Sequence, residues 1–204
     1  MIKIENIKVY NIARAVYSSR NALNSWDKSD SDLEHDILGE KDLDLARRLY
    51  KAGAEHRKYM RQIFVTMDIT TNQTLWGQLD TYKVGTTKNS CSKMHRIHVK
   101  PFEMEDFSHE GISEVGGTTM AAFTTVIEQL ESLRKRYNAT HESKYWRAMI
   151  ELLPMGYNLK ATLTMNYENV ANIINQREGH KMKEWSELVD ELKKLPYITE
   201  IMGD

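Results

Sequence analysis

The sequence predicts a mixed α/β fold, a central sheet flanked by helices, and three observations carry that prediction. The run YMRQIFVTMDIT alternates Ile63, Val65, Met67 and Ile69 with Phe64, Thr66 and Asp68, the period of two that sends successive side chains to opposite faces of a strand. The run TMAAFTTVIEQLESLRKRY, over 119–137, sets Met120, Phe123, Ile127, Leu130 and Leu133 along one helical stripe. KMKEWSELVDELKKL does the same with Trp185, Leu188, Val189 and Leu192 and is closed by Pro196. At 204 residues the chain is long enough for one domain with a full core. No composition shift, repeat or low-complexity tract divides it, so a single domain over 1–204 is expected.

The remaining elements follow in order. MIKIENIKVY alternates Ile2, Ile4 and Ile7 with polar residues before Val9 and reads as a strand. SSRNALNSWDKSDSDLEHDILGEKD is rich in Ser, Asp and Asn and long for a connector, a composition typical of loops that cover ligands. Leu43, Leu45, Ala46, Leu49 and Tyr50 then recur at helical spacing, with Asp42 as cap and Gly53 as stop. After the strong strand, TNQTLWGQLDTYKVG turns helical from about Asn72, whereas GTTKNSCSKMH has no consistent period and reads as a polar loop. Residues 144–152 form a helix that ends before Pro154. LKATLTMNY reads as a second strand, and ENVANIINQR as a helix bearing Val170, Ile173 and Ile174. Helices outnumber strands, which keeps the class at α/β or α+β.

Composition narrows the functional classes. With 28 basic and 29 acidic residues the formal charge is -1, so no global field draws the chain to nucleic acid or to an anionic membrane, and an anionic ligand must be met locally. No run of about 18 apolar residues predicts a membrane-spanning helix. The one cysteine, Cys91, cannot form an internal disulfide, and the N-terminal segment lacks the basic-then-apolar layout of a signal peptide, so a cytoplasmic location is expected.

The segment GTTKNSCSKMHRIH is the first candidate for chemistry. Thr86, Thr87, Asn89, Ser90 and Ser92 lie beside Lys83, Lys88, Lys93 and Arg96, and hydroxyls, cations and backbone donors together suit a phosphate. An ordinary solvated loop has the same composition. Cys91 and His95, four apart, would share a helical face as a nucleophile and its base require, but no orienting third group is evident and a structural cysteine is the commoner case. His95, His98 and His109 lack zinc-ligand spacing, so no metal is expected, and Gly116 with Gly117 matches no phosphate-loop fingerprint and marks a turn. Arg177, at the end of an apolar helical stripe, suits two-pronged recognition of a carbonyl or phosphate, with a surface ion pair as the plainer alternative. His56 lies between a helix and the strong strand, a position where ligand-facing residues occur.

The order of these features resembles the flavin-dependent thymidylate synthases over most of the chain. In LPMGYNLKATLTMNYENVANIINQREGHKMKEW, Leu153, Pro154, Thr164, Asn166, Asn172, Asn175 and Arg177 fall in step with the family's Leu-Pro, strand with Thr-x-Asn, and Asn-bearing helix ending in Arg. His180 and Glu184 match once one residue is deleted. GAEH puts His56 on the family's histidine, and ARAVYSS is similar to its Ala-Arg-x-x-Tyr-Ser start. The family's Arg-His-Arg triplet, seven residues before a serine, corresponds here to Tyr82, Lys83 and Val84, with Ser92 on the serine. Asn89 keeps its place, Ser90 replaces the usual acidic residue and Met94 an arginine. A further family arginine is Ile150 here, with Arg147 one helical turn upstream in a position to substitute.

What the resemblance implies is a homotetramer with sites at subunit interfaces and the reductive methylation of dUMP to dTMP, with FAD as cofactor and methylenetetrahydrofolate and NADPH as co-substrates. It implies Arg177 and Ser92 as catalytic residues and Asn89, Ser92 and Arg177 around the nucleotide, where Lys83 and Lys88 would rebuild the positive pocket, Ser90 stands at the family's acidic position and Arg147 substitutes for the missing arginine. His56, Asn166, Asn172 and His180 would contact the cofactor. Each lost charge-assisted contact is worth roughly 1.5–3 kcal/mol. The altered triplet therefore keeps open an alternative, a nucleotide-binding protein on the same fold that senses or sequesters its ligand.

Overall fold

The computed structural model describes residues 1–203. Its elements, in chain order, are β1 (Ile2–Tyr10), α1 (Ile12–Ser18), α2 (Glu40–Ala52), β2 (Phe64–Asn72), α3 (Gln73–Leu79), β3 (Thr86–Ser90), α4 (Lys93–Arg96), α5 (Glu110–Val115), α6 (Gly117–Thr140), α7 (Ser143–Leu152), β4 (Asn158–Asn166), α8 (Tyr167–Arg177), α9 (Lys183–Lys193) and α10 (Ile198–Met202), with short 3-10 turns between them. The four strands form one antiparallel sheet in the order β1-β2-β4-β3. The mixed α/β class is as expected.

Two compact units share the chain. The first comprises Met1–Lys3, Ile69–Gln78 and Asn89–Ala161, and the second Ile4–Asp68, Leu79–Lys88 and the chain from Thr162 onward. The first is built on the long helix α6. Its stripe buries Phe123, Ile127 and Leu130 against Ile97, Phe102, Phe107 and Met149. Phe107 meets Phe123 edge-on, centroids 5.7 Å apart at 88°, and meets Tyr157 at 5.4 Å, the geometry that aromatic quadrupoles favour. Glu131 ties this core down by accepting from Arg134 Nε and Nη2, both at 2.7 Å, and from the Phe102 N–H at 3.2 Å.

The second unit holds helices α1, α2, α8, α9 and α10 with parts of all four strands, and within it α2 packs on α10 and α8 on α9. In β2 the alternation holds, with Val65 and Met67 buried and Thr66 and Asp68 half-buried. Asn6 donates to Asp68 Oδ2 at 2.9 Å, and Thr162 donates to Asp68 Oδ1 at 2.6 Å, which fixes the register of β1, β2 and β4 across one polar rung. Helix α9 buries Trp185, Leu188, Val189 and Leu192, all four residues of its predicted stripe. The apolar face of α8 buries Val170, Ile173 and Ile174.

Two local readings change. Helix α2 begins at Glu40, and Asp42 does not cap it; the Asp30 carboxylate does, accepting from the N–H groups of Lys41 (2.9 Å) and Asp42 (3.1 Å). Asp42 instead turns inward, fully buried, and binds Arg20 Nε at 2.6 Å together with the hydroxyls of Ser29 and Ser31. The polar connector is thus held in place by internal bonds. Asp36 extends this by capping α1 through the N–H groups of Ile12 (3.0 Å) and Ala13 (2.7 Å). Finally, the segment read as a loop contains β3 and α4. An edge strand with both faces largely exposed carries no apolar alternation, so Thr86–Ser90 gave no periodic signal.

Candidate functional site

In the second unit, α8 ends at Arg177, where the guanidinium is clasped by aromatic rings. Arg177 Cζ stands 4.5 Å from the Trp185 ring centroid and 5.7 Å from that of Tyr82. Its Nε donates to the Tyr82 hydroxyl at 3.0 Å. Tyr82 and Trp185 meet edge-on, 6.0 Å apart, and His180 meets Trp185 at 6.2 Å. His180 Nδ1 accepts from the Met182 N–H at 3.1 Å, which assigns the ring proton of the neutral imidazole to Nε2. The contact with the indole is a cation–π interaction, and each such contact contributes about 0.5–2 kcal/mol. Among the described residues, Arg177 Nη1 and Nη2 have no protein partner, so the forked edge is open to a carbonyl or phosphate.

The turn between α3 and β3 is fixed against α8 by one side chain. Asn169 Nδ2 reaches the Val84 carbonyl at 2.5 Å, the Thr86 hydroxyl at 2.9 Å and the Tyr82 carbonyl at 3.4 Å. Gly85 sits at φ +73, and a Cβ there would collide with the Asn166 amide, so only glycine fits the turn. Asn166 is the N-cap of α8, its Oδ1 accepting from the Asn169 N–H at 2.9 Å. Lys88 pairs with Asp80, while the Lys83 side chain is exposed. A cavity of about 70 Å³ between Tyr82, Lys83, Lys88, Leu163 and Met165 is too small for a base, since ligand pockets run to roughly 300–1,000 Å³.

A larger depression of about 600 Å³ in the same unit gathers His56 with Arg14, Ser18, Ser19, Lys58 and Tyr59. The two segments that carried the N-terminal half of the resemblance, ARAVYSS and GAEH, therefore meet at one pocket. His56 is exposed, with Nε2 3.7 Å from the Glu55 carboxylate. Asn172 is half-buried on α8.

The other predicted residues belong to the first unit. Asn89, Ser90 and Cys91 are exposed along β3 and just beyond it, and the Cys91 N–H donates to the Lys160 carbonyl at 3.0 Å. Ser92 caps α4, its Oγ accepting from the His95 N–H at 3.2 Å, which leaves the hydroxyl proton available to a ligand. Cys91 lies outside α4, so the shared helical face that would pair it with His95 does not form. Arg147 is exposed on α7 and pairs with Glu151 at 2.7 Å. Among the described residues no group of three or more His, Cys, Asp or Glu side chains is placed to hold a metal, and no helix is long and apolar enough to cross a membrane.

Sequence reasoning missed the partners that organise Arg177. Trp185 was legible only as a core position of α9, and Tyr82 only as a departure from a cationic triplet. Asn169 left a faint signal, a polar residue inside the apolar stripe of α8.

No family model matches the sequence, and no curated protein does. Solved structures do match its fold. A thymidylate synthase X (ThyX) from Helicobacter pylori with FAD and dUMP superposes with a TM-score of 0.72 at 15% identity, covering 99% of this chain and 97% of the other. A second structure, of flavin-dependent thymidylate synthase ThyX from Helicobacter pylori complexed with FAD and dUMP, gives 0.69 at 15% identity, with 97% of each chain covered. The chain has a ThyX-like fold over its whole length.

Proposed function

We propose that this chain is a pyrimidine-nucleotide protein of the flavin-dependent thymidylate synthase kind, whose reaction is the reductive methylation of dUMP to dTMP. The observation that carries the reading is Arg177: a guanidinium held over Trp185 and bonded to Tyr82 with its forked edge open, at the end of the helix where the resemblance places the catalytic arginine. Donors fixed before the ligand arrives stabilise charge that builds on a pyrimidine carbonyl without reorganising. In the same unit, Lys83 and Lys88 would meet the nucleotide's phosphate, within the homotetramer that the resemblance implies. Coverage of the solved ThyX chains from end to end supports treating 1–204 as one domain.

The His56 pocket fits a flavin in size and chemistry. It combines about 600 Å³ with two cations, Arg14 and Lys58, and two hydroxyls, Ser18 and Ser19, suited to a pyrophosphate. His56 would hold FAD at this pocket, whereas Asn166, Asn172 and His180, which the resemblance also implies for the cofactor, do not line it; the cofactor when bound supplies the hydride. Methylenetetrahydrofolate would give the carbon and NADPH the reducing equivalents.

A second reading, nucleotide binding without methyl transfer, is favoured by one observation. At the place of the cationic triplet stand Tyr82, Lys83 and Val84, and Tyr82 is occupied in holding Arg177. An assay containing protein, FAD, dUMP, methylenetetrahydrofolate and NADPH separates the two. Formation of dTMP that Arg177→Ala abolishes supports the synthase. Binding of dUMP without dTMP leaves the second reading, and absence of both rejects the nucleotide site.

A further inference from the structure

Tyr82 is fixed from several sides. Its carbonyl is bound by Asn169, which also holds the Val84 carbonyl and the Thr86 hydroxyl. Its ring edge meets Trp185 at 65°. Its hydroxyl proton goes to Gln176 Oε1 at 2.9 Å. With that one proton committed, the oxygen presents a lone pair, and the Arg177 Nε–H uses it at 3.0 Å.

A guanidinium held over a ring by a cation–π contact alone can still turn about it. The Nε–H bond to the Tyr82 hydroxyl adds a directed constraint, and the contact with Trp185 keeps the guanidinium over the indole, Cζ 4.5 Å from the ring centroid. Together they define where Nη1 and Nη2 stand. We infer that Tyr82 is a positioning residue for Arg177: its hydroxyl, oriented by Gln176, orders the guanidinium so that the forked edge is set before any ligand binds. The inference takes its functional consequence from the nucleotide site proposed above. Because the tether is a neutral phenol, it orients the arginine without placing a second cation beside it. The ligand is then met here by directed hydrogen bonds of one guanidinium, the pattern that suits a pyrimidine carbonyl edge.

The test removes one oxygen. Tyr82→Phe keeps the ring and its contact with Trp185, and Gln176→Leu, at an exposed position, removes only the acceptor that orients the hydroxyl. In nitrogen–proton correlation spectra of ligand-free protein, the Arg177 Nε–Hε signal is identified by its loss in Arg177→Lys. It is expected to be slowly exchanging in the wild type and to join the fast-exchanging exposed arginines in both variants, with thermal melting showing each variant folded. Calorimetric titration with dUMP is then expected to be about tenfold weaker for Tyr82→Phe, equivalent to about 1.4 kcal/mol. An Nε–Hε signal unchanged in Tyr82→Phe overturns the tether. A changed signal with unchanged dUMP affinity overturns the positioning role. Wild-type protein that binds no dUMP rejects the nucleotide site, and a signal lost in the variants still supports the tether, so the two failures are told apart.

Discussion

Arg20 and Asp42 show what a single buried contact does here. Both are buried, and Asp42 also accepts from Ser29 and Ser31 at 2.5 and 2.6 Å, so both of its carboxylate oxygens are matched. Removing one partner strands the other charge. Asp42→Ala is therefore expected to destabilise the protein by about 3–5 kcal/mol, read as a lower denaturant midpoint, whereas Asp44→Ala, an exposed partner of Arg48, is expected to change it by no more than about 1 kcal/mol. Glu131 gives the corresponding pH prediction. Its hydrogen bonds from Arg134, and then from the Phe102 N–H, outweigh burial and hold its carboxyl below the ordinary 4.5. A depressed carboxylate contributes stability that is complete above the ordinary value and is lost as pH falls through the folded value. Chemical denaturation from neutral pH to below 4.5 is expected to show a steeper loss in the wild type than in Glu131→Gln.

Among the elements, the turn between α3 and β3 is the most constrained. Asn169 binds three of its acceptors, and Gly85 holds a positive φ where a side chain would meet Asn166. Gly85→Ala is expected to cost about 1–3 kcal/mol and to loosen Tyr82. Amide exchange should quicken through 82–86 while the core of α9 stays protected; equal protection in the variant would show the turn indifferent to the added methyl. This element also marks how far the sequence was legible. Strands and helices with an apolar side announced themselves by period: β2 through Val65 and Met67, α9 through Trp185 and Leu188. Helix α10 did not, because five residues are too few for a helical period, although Ile198, Ile201 and Met202 are buried. Edge strand β3 did not because it buries almost nothing. At the site, Arg177 was legible from its place at a helix end. Its clasp was not, since Tyr82, Gln176 and Trp185 meet only in three dimensions and Trp185 reads as one more core residue.

At the scale of the whole molecule, the fold and the donor set carry different information. Likeness to ThyX covers the chain from end to end, yet at 15% identity it fixes architecture, and chemistry rests on side chains. Those side chains include an open guanidinium fork, a large pocket at His56, and a neutral phenol where the resemblance calls for a cation. If the His56 pocket receives the flavin, purified protein incubated with FAD should retain it through gel filtration with the absorbance bands of a bound flavin. His56→Ala should weaken that retention about tenfold, or about 1.4 kcal/mol, without altering dUMP binding to the apoprotein. Equal retention by the variant would move the flavin away from this pocket.

The central claim is that Arg177 receives a pyrimidine nucleotide. Calorimetric titration of dUMP into wild-type protein and into Arg177→Gln tests it most directly. Binding to the wild type is expected to be saturable, and affinity in the variant at least about tenfold weaker, equivalent to about 1.4 kcal/mol or more. Equal affinity in both proteins, or no binding to either, would contradict it.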